Sequence, residues 1–315
     1  MAVTEQNVAW TIVSASKLTQ ASLPVPTPGP NQVLIRIKAV SLNYRDHLIV
    51  HHSTAYPFQA APDLIPCSDG AGTVVAAGES SKWHNRIGSS VVVHINTWMD
   101  GDIVDGYKFE AVLGGAGTHG TLTRYLVLDD DRVLGAPKAL DDVETAALET
   151  AGLTAFNALF EGPGEVGRPA KDEKLEVTKK LGATHVINYR KTPAWADEVL
   201  RITNGRGVDH VIEVGGAGTI EESLRSTRTG GLVTVMGILT ESKKTDLIPA
   251  ILYGAKTIRG LLGSGSKAMN ERFIKFVEEH QIRPEVGKVY EFEQAPEAFA
   301  RLEKQSEIGK IVIKV

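Results

Sequence analysis

The chain holds one cysteine, Cys67, among its 315 residues. A single thiol excludes an internal disulfide framework and any structural metal site assembled from several thiolates. Long apolar runs are missing too. No stretch approaches the roughly 20 residues that span a bilayer, and the opening MAVTEQNVAWTIV has neither a basic n-region nor an apolar h-region. Positive charge is not concentrated: 34 Lys and Arg stand against 38 Asp and Glu, for a net charge of −4. No basic stripe is dense enough to collect nucleic-acid phosphates. The acidic run Asp129, Asp130, Asp131 reads as a solvated loop. These exclusions set the expectation of a soluble cytoplasmic protein with neither nucleic acid nor membrane as partner. What is present suits that class, since 42 % hydrophobic and 23 % charged residues are ordinary for a globular chain long enough for two domains.

The first third is strand-rich. After the stiff loop PVPTPGPNQ, the run Val33 to Val40 alternates Arg36 and Lys38 with apolar neighbours, the period of a half-buried strand. GTVVAAG, SSVVVHI and TLTRYLVL repeat the pattern between glycine-rich turns, which predicts a small β-barrel or sandwich. Around Leu140 the period changes. Asp141 and Glu144 have the D-x-x-E form of a helix start, and the run to Phe160 is helical in spacing. Beyond Lys174 the elements alternate: helix DEKLEVTKKLG, strand THVINY, helix AWADEVLRITNG, strand VDHVIEVGG, helix TIEESLRSTRTGG, then strands LVTVMGI and KTIRGLLG. Short strands alternating with helices predict βαβ units in a parallel sheet. Helix SKAMNERFIKFVEEH, a second helix from Pro296 and the alternating strand GKIVIKV close the chain. The fold class is α/β: a barrel built from both chain ends, with a Rossmann-type domain inserted between them. The boundaries are 1–127 and 267–315 for the first and 128–266 for the second.

The phrases SLNYRD, PCSDGAGTVVAAG, GTLTRYLVL, ETAGLTAFNAL, DEKLEVTKKLGATHVINY and GKIVIKV occur in order along nearly the whole chain. In them the sequence resembles the medium-chain dehydrogenase/reductase superfamily, specifically its zinc-independent, quinone-oxidoreductase-like and alcohol-dehydrogenase-like members. The resemblance implies a GroES-like barrel domain, a nicotinamide cofactor, NADP(H) by expectation, and hydride transfer to or from a small carbonyl, quinone or enone. Zinc members carry Cys-x-x-Asp and Gly-His-Glu at two of these phrases. Here those positions hold Asn43 and Asp46, then Cys67, Ser68 and Asp69, so no set of three N, S or O ligands is available and no metal is expected. By resemblance Asn43 and Tyr44 sit beside the nicotinamide, where hydrogen-bond donors would polarise a carbonyl in place of a Lewis acid. The bland alternative has both fixing a strand end while Asp46 caps the next helix. His47 and His51, spaced i and i+4, lack a third ligand and read as surface or cap residues, and Cys67 reads as a buried filler.

A dinucleotide fold needs G-x-G-x-x-G between its first strand and helix, so that backbone N–H groups and the helix N-terminus hold the pyrophosphate. The string occurs twice, at Gly115, Gly117, Gly120 and at Gly162, Gly164, Gly167, and neither copy lies between a strand and a helix. Where the family places the first strand, the glycine turn, the first helix and the second strand, only EGPGEVGRPAK stands between Phe160 and Lys174. The deficit is about 30 residues, close to one βα unit plus a strand. Its loss would sever THVINY from VDHVIEV, leaving THVINY either to slide across or to leave an open sheet edge. The cofactor contacts implied by resemblance are Thr154, Lys174, Tyr189, Gly215, Gly216 and Gly237, with the glycines equally suited to any strand-to-helix turn. A homodimer through the edge near Leu247 to Leu262 is expected. Three readings stay open: an NADP(H)-dependent reductase, a non-redox binding or scaffold relative, and an active reductase from whose sequence a coding segment has been dropped.

Overall fold

The structure, a computed structural model, describes residues 6–161, 179–240 and 244–315. It falls into two compact units, one made of residues up to Leu153 together with Gly265–Val315, the other of Thr154–Ser264. The first unit opens with a hairpin of β1 (Asn7–Ser14) and β2 (Lys17–Leu23). Next come β3 (Gln32–Ser41), helix α1 (Tyr44–Val50), β4 (Asp69–Ala77), β5 (Ser90–Val93), the single turn α2 (Ile103–Gly106), β6 (Tyr125–Asp129) and β7 (Val133–Gly135). Strand β3 is the hub of a seven-stranded sheet, because Val33, Leu34, Ile35 and Ile37 are buried and its backbone pairs antiparallel with both β4 and β6. Apolar side chains on both faces exclude water from that ladder, as expected of a strand at the centre of a sheet covered on both faces. TLTRYLVL becomes a strand only from Tyr125 onward.

Helix α3 (Asp142–Phe160) begins where the sequence predicts. The Glu144 backbone N–H donates to Asp141 Oδ1 at 2.8 Å, and the Asp141 N–H donates to Glu144 Oε2 at 3.2 Å, so two orphan donors are satisfied reciprocally. The chain's last stretch returns to the first unit.

The second unit holds α4 (Trp195–Ile202), β8 (Val208–Glu213), α5 (Ile220–Ser226), β9 (Thr227–Val235), α6 (Ile248–Gly254) and β10 (Thr257–Gly260). Its strands form a parallel sheet in the order β10, β9, β8. The predicted helix TIEESLRSTRTGG ends at Ser226, and β9 takes over its last residues. The predicted strand THVINY does not form: residues 184–189 are irregular. A strand exists only as part of a ladder, and among the described residues β8 pairs with β9 alone. Helix DEKLEVTKKLG lies mostly outside the described residues, as do Lys174, Gly162, Gly164 and Gly167. In the first unit the chain then completes α7 (Lys267–His280), β11 (Val286–Tyr290), α8 (Ala295–Glu303) and β12 (Lys310–Lys314), with β12 parallel to β11 and antiparallel to β3.

Candidate active site

Strand register builds the site in the first unit. Strand β12 pairs with β3 so that Val312 faces Ser41, and the Leu42 N–H continues the ladder to the Ile311 carbonyl at 2.9 Å. One step further, Lys310 meets Asn43, and its Nζ donates to Asn43 Oδ1 at 2.6 Å. On the other side of β3, Ser41 faces Asp69 of β4, which brings the Cys67–Asp69 segment alongside. Helix α1 supplies Asp46, whose Oδ2 accepts the Asn43 backbone N–H at 2.8 Å. Asp46 thus closes the start of its own helix. Lys310 is partly buried. Desolvation lowers its pKa, against the opposing pull of Asp69, Asp46 and Cys67. Burial also raises the Asp46 carboxyl to about 6, although Arg45 lies 3.6 Å away. Asn43 Nδ2 is enclosed and has no hydrogen-bond partner among the described residues.

The Asp69 carboxylate is itself occupied. Oδ1 accepts from Ser68 Oγ at 2.8 Å and from Thr150 Oγ1 at 2.5 Å, and Oδ2 accepts the Thr150 N–H at 3.1 Å. Cys67 is wholly buried with φ 74°, and burial pushes its thiol well above the usual range. No group of three or more His, Cys, Asp or Glu that could hold a metal ion comes together among the described residues.

Tyr44 opens α1 and stacks on His47, with ring centroids 5.5 Å apart, and His47 in turn lies 4.3 Å from His51. The two histidines do share a helical face, with no third ligand among the described residues, and His51 Nδ1 meets Ser16 Oγ at 2.6 Å. Behind the site runs a buried polar chain. Asn270 Nδ2 donates to Glu149 at 2.5 Å and lies 3.5 Å from His94 Nδ1, and the Asn96 side chain faces His94 Nε2 at 3.0 Å. Lys310, Thr150 and Glu149 escape sequence reasoning, since each meets its partner through pairing distant in sequence.

In the second unit, Gly215 and Gly216 follow β8 and turn around Glu213. That buried carboxylate accepts both backbone N–H groups, at 2.6 and 2.8 Å, and Thr219 Oγ1 at 2.6 Å. Gly216 has φ +85°, a conformation favouring glycine, and a Cβ on Gly237 would come within 2.6 Å of the Val214 carbonyl. Thr240 Oγ1 stitches the two strand-end loops, donating to the Gly215 carbonyl at 2.8 Å. Val214, Ile238, Leu239 and Leu262 stand exposed after the carboxyl ends of β8, β9 and β10. Ligands of open parallel sheets bind at that edge. Tyr189 is exposed in a turn whose Arg190 and Lys191 N–H groups both donate to Asn188 Oδ1, at 2.9 and 3.1 Å. Thr154 lies partly buried in α3.

The first of the literal G-x-G-x-x-G strings has a local explanation. The Gly120 N–H donates to the Ile65 carbonyl at 2.7 Å, and a Cβ there would come within 2.5 Å of the Pro66 carbonyl oxygen. Close backbone approach, not phosphate, demands that glycine.

Residues 29–138 match the family model described as alcohol dehydrogenase GroES-like domain, and residues 181–313 match the one described as zinc-binding dehydrogenase. A zinc-type alcohol dehydrogenase-like protein of Schizosaccharomyces pombe is 35 % identical over 323 positions, covering 91 % of this chain and 92 % of the relative. A Sinorhizobium meliloti 1021 structure assigned to the alcohol dehydrogenases is similar at TM-score 0.89 and 29 % identity, over 100 % of both chains. The structure of an NAD-dependent alcohol dehydrogenase is similar at TM-score 0.84 and 28 % identity, over 98 % of this chain and 99 % of that one.

Proposed function

The chain belongs to the medium-chain dehydrogenase/reductase family as a zinc-type alcohol dehydrogenase-like oxidoreductase, and from that premise we propose that it works without zinc, on NADP(H) and a small carbonyl, quinone or enone. One observation carries the metal-free reading. The Lys310 ammonium is hydrogen-bonded to Asn43 at 2.6 Å and feels the charges of Asp46 and Asp69, which belong to the phrases where zinc members carry ligands. A donor aimed at a developing oxyanion does the work of a Lewis acid for activated carbonyls. Asn43 Nδ2 has no hydrogen-bond partner among the described residues and is the donor for that purpose, and Tyr44 supplies a neighbouring hydroxyl. The nicotinamide, when bound, supplies or accepts the hydride. Replacing Asn43 by Ala is expected to lower kcat about 100-fold, in line with the loss of one oxyanion donor. Steady-state kinetics with an ortho-quinone and NADPH measures it, and an unchanged kcat would sink the role.

NAD(P) is the typical cofactor of the family. For this chain we assign its contacts to Gly215, Gly216, Gly237, Thr154 and Tyr189, with Lys174 outside the described residues. Support comes from the exposed apolar rim after β8 to β10 and from Arg190 beside Tyr189, which offers charge to a ribose phosphate. The exposed side chains of Ile248, Leu252 and Tyr253 on α6 support a homodimer through that edge, which sedimentation would test.

A second reading has its own observation. The match to the S. pombe protein runs over 323 positions, more than the 315 residues of this whole chain, so that relative carries residues without counterpart here. If these are the pyrophosphate-holding segment, cofactor affinity falls, tenfold for each 1.4 kcal/mol of lost contact. The chain would then act as a binding or scaffold protein, or its sequence would lack a coding segment. Titrating NADPH by fluorescence separates the readings: saturation below millimolar supports the reductase, and none at millimolar cofactor removes it. Genomic sequence across the Ala170 and Lys171 codons tests the dropped segment.

A further inference from the structure

We propose that Lys310 is the positioning residue of the site: it fixes the orientation of the Asn43 amide, so that Nδ2 rather than Oδ1 is presented to the substrate oxygen. The inference rests on the reading of Asn43 as the carbonyl-polarising donor. An amide has two faces of opposite character, an acceptor oxygen and a donor nitrogen of nearly equal size. Which end points where is decided by its neighbours. Here the neighbour is a Lys ammonium, which has donors and no acceptor, so only the oxygen can face it. The 2.6 Å contact is a charge-assisted hydrogen bond, about twice the strength of a neutral one. A flip of the amide would set N–H against N–H and leave the ammonium without its partner. With Oδ1 held, the nitrogen is the other end, and it is buried with no partner among the described residues. A buried amide donor without a partner is unfavourable unless something else satisfies it. A substrate carbonyl oxygen is the acceptor of matching chemistry.

The backbone makes the arrangement rigid. Lys310 begins β12 and Asn43 directly follows β3, and the β12–β3 ladder sets the two opposite each other. The Leu42 N–H bond to Ile311 and the Asp46 bond to the Asn43 N–H clamp both sides of the pair. Asp46 and Asp69 supply the counter-charge that keeps a buried ammonium tolerable. Positioning by a fixed neighbour matters for rate, because a misplacement of about 1 Å can lower it about 100-fold.

The test is a double-mutant cycle in the full chain with NADPH and an ortho-quinone as probes, using Asn43→Ala, Lys310→Met and the double variant. Lys310→Met is expected to lower kcat about tenfold or more with the cofactor KM within about twofold, and to add nothing in the Asn43→Ala background. Equal losses in both backgrounds overturn the coupling. If Asn43→Ala is impaired while Lys310→Met matches wild type, the positioning role fails alone. If Asn43→Ala is unimpaired, the donor reading itself fails. Should Lys310→Met not fold, Lys310→Gln carries the same cycle, since its amide retains an N–H donor and is expected to recover part of kcat. A second readout needs no turnover. In wild type, NMR of asparagine-labelled protein should show the Asn43 side-chain NH2 as one sharp pair of resonances, and in Lys310→Met that pair should shift and broaden. An unchanged Asn43 pair in the variant would overturn the proposal.

Discussion

Cys67 and the glycines packed on it show how a few residues set the geometry of the site. The Cys67 backbone takes a left-handed φ of 74°, rare for a side chain with a Cβ. Its carbonyl accepts the Thr121 N–H at 3.0 Å, and Gly114 approaches its backbone so closely that a Cβ there would lie 2.6 Å from the Cys67 nitrogen. A Cβ on Gly120 would lie 1.9 Å from the Cys67 carbonyl oxygen, so Gly120→Ala is expected to destabilise the protein by about 3 kcal/mol, the range of overpacked sites. Gly117→Ala, whose Cβ meets only the Glu110 carbonyl at 3.8 Å, should stay within about 0.5 kcal/mol of wild type. Urea denaturation midpoints check the pair, and similar losses in both would refute the packing account. The Cys67 thiol, buried and held protonated, should ignore a disulfide reagent in native protein and react only on unfolding.

Elements were legible in the sequence where local pattern and tertiary environment agree. The alternation of Val33 to Val40 becomes β3, Asp141 and Glu144 form their reciprocal cap, and GKIVIKV closes the chain as β12. THVINY has the β-branched and aromatic content of a strand yet stays irregular, because a strand requires a partner and composition alone supplies none. The candidate donor Asn43 could be picked out from its phrase. Lys310 could not, as 267 positions separate the two and only the β12–β3 register joins them. The buried chain through α3, β5 and α7 was equally hidden, and it makes stability depend on pH. His94 follows β5, and burial together with the Arg132 charge lowers its pKa to about 4 from the usual 6.5. The unfolded chain thus binds this proton between pH 6.5 and 4 while the folded one does not, so stability falls as pH drops through that window. The contribution is about 3 kcal/mol. Asp46 acts oppositely: raised to about 6 from 3.8, it favours the folded state as pH falls between those values. Unfolding free energies from pH 7 to 4 should decline less steeply in His94→Gln than in wild type. Parallel curves would remove His94 from the account.

At the scale of the whole molecule the two units differ in what holds them. The first packs Trp10, Trp83, Leu113, Leu122, Phe292 and Phe299 with many further buried side chains into one continuous core. The core described for the second centres on Ile220, Leu224 and Val233, with partly buried residues around them. Since burial of apolar surface is the dominant favourable term, the second unit should open at lower free energy than the first. Native-state hydrogen exchange is expected to show β8 to β10 amides exchanging at lower denaturant than those of β3 and β4. A single cooperative opening of all five strands would contradict this. The same experiment reports on the cofactor. A ligand bound only to the folded second unit raises its opening free energy by RT ln(1 + [L]/Kd), about 2.7 kcal/mol at a hundredfold excess over Kd. NADPH should therefore protect β8 to β10 selectively if their carboxyl edge holds the dinucleotide, whereas equal protection of β3 would place binding elsewhere. No protection at millimolar NADPH would leave the oxidoreductase framework without its cofactor.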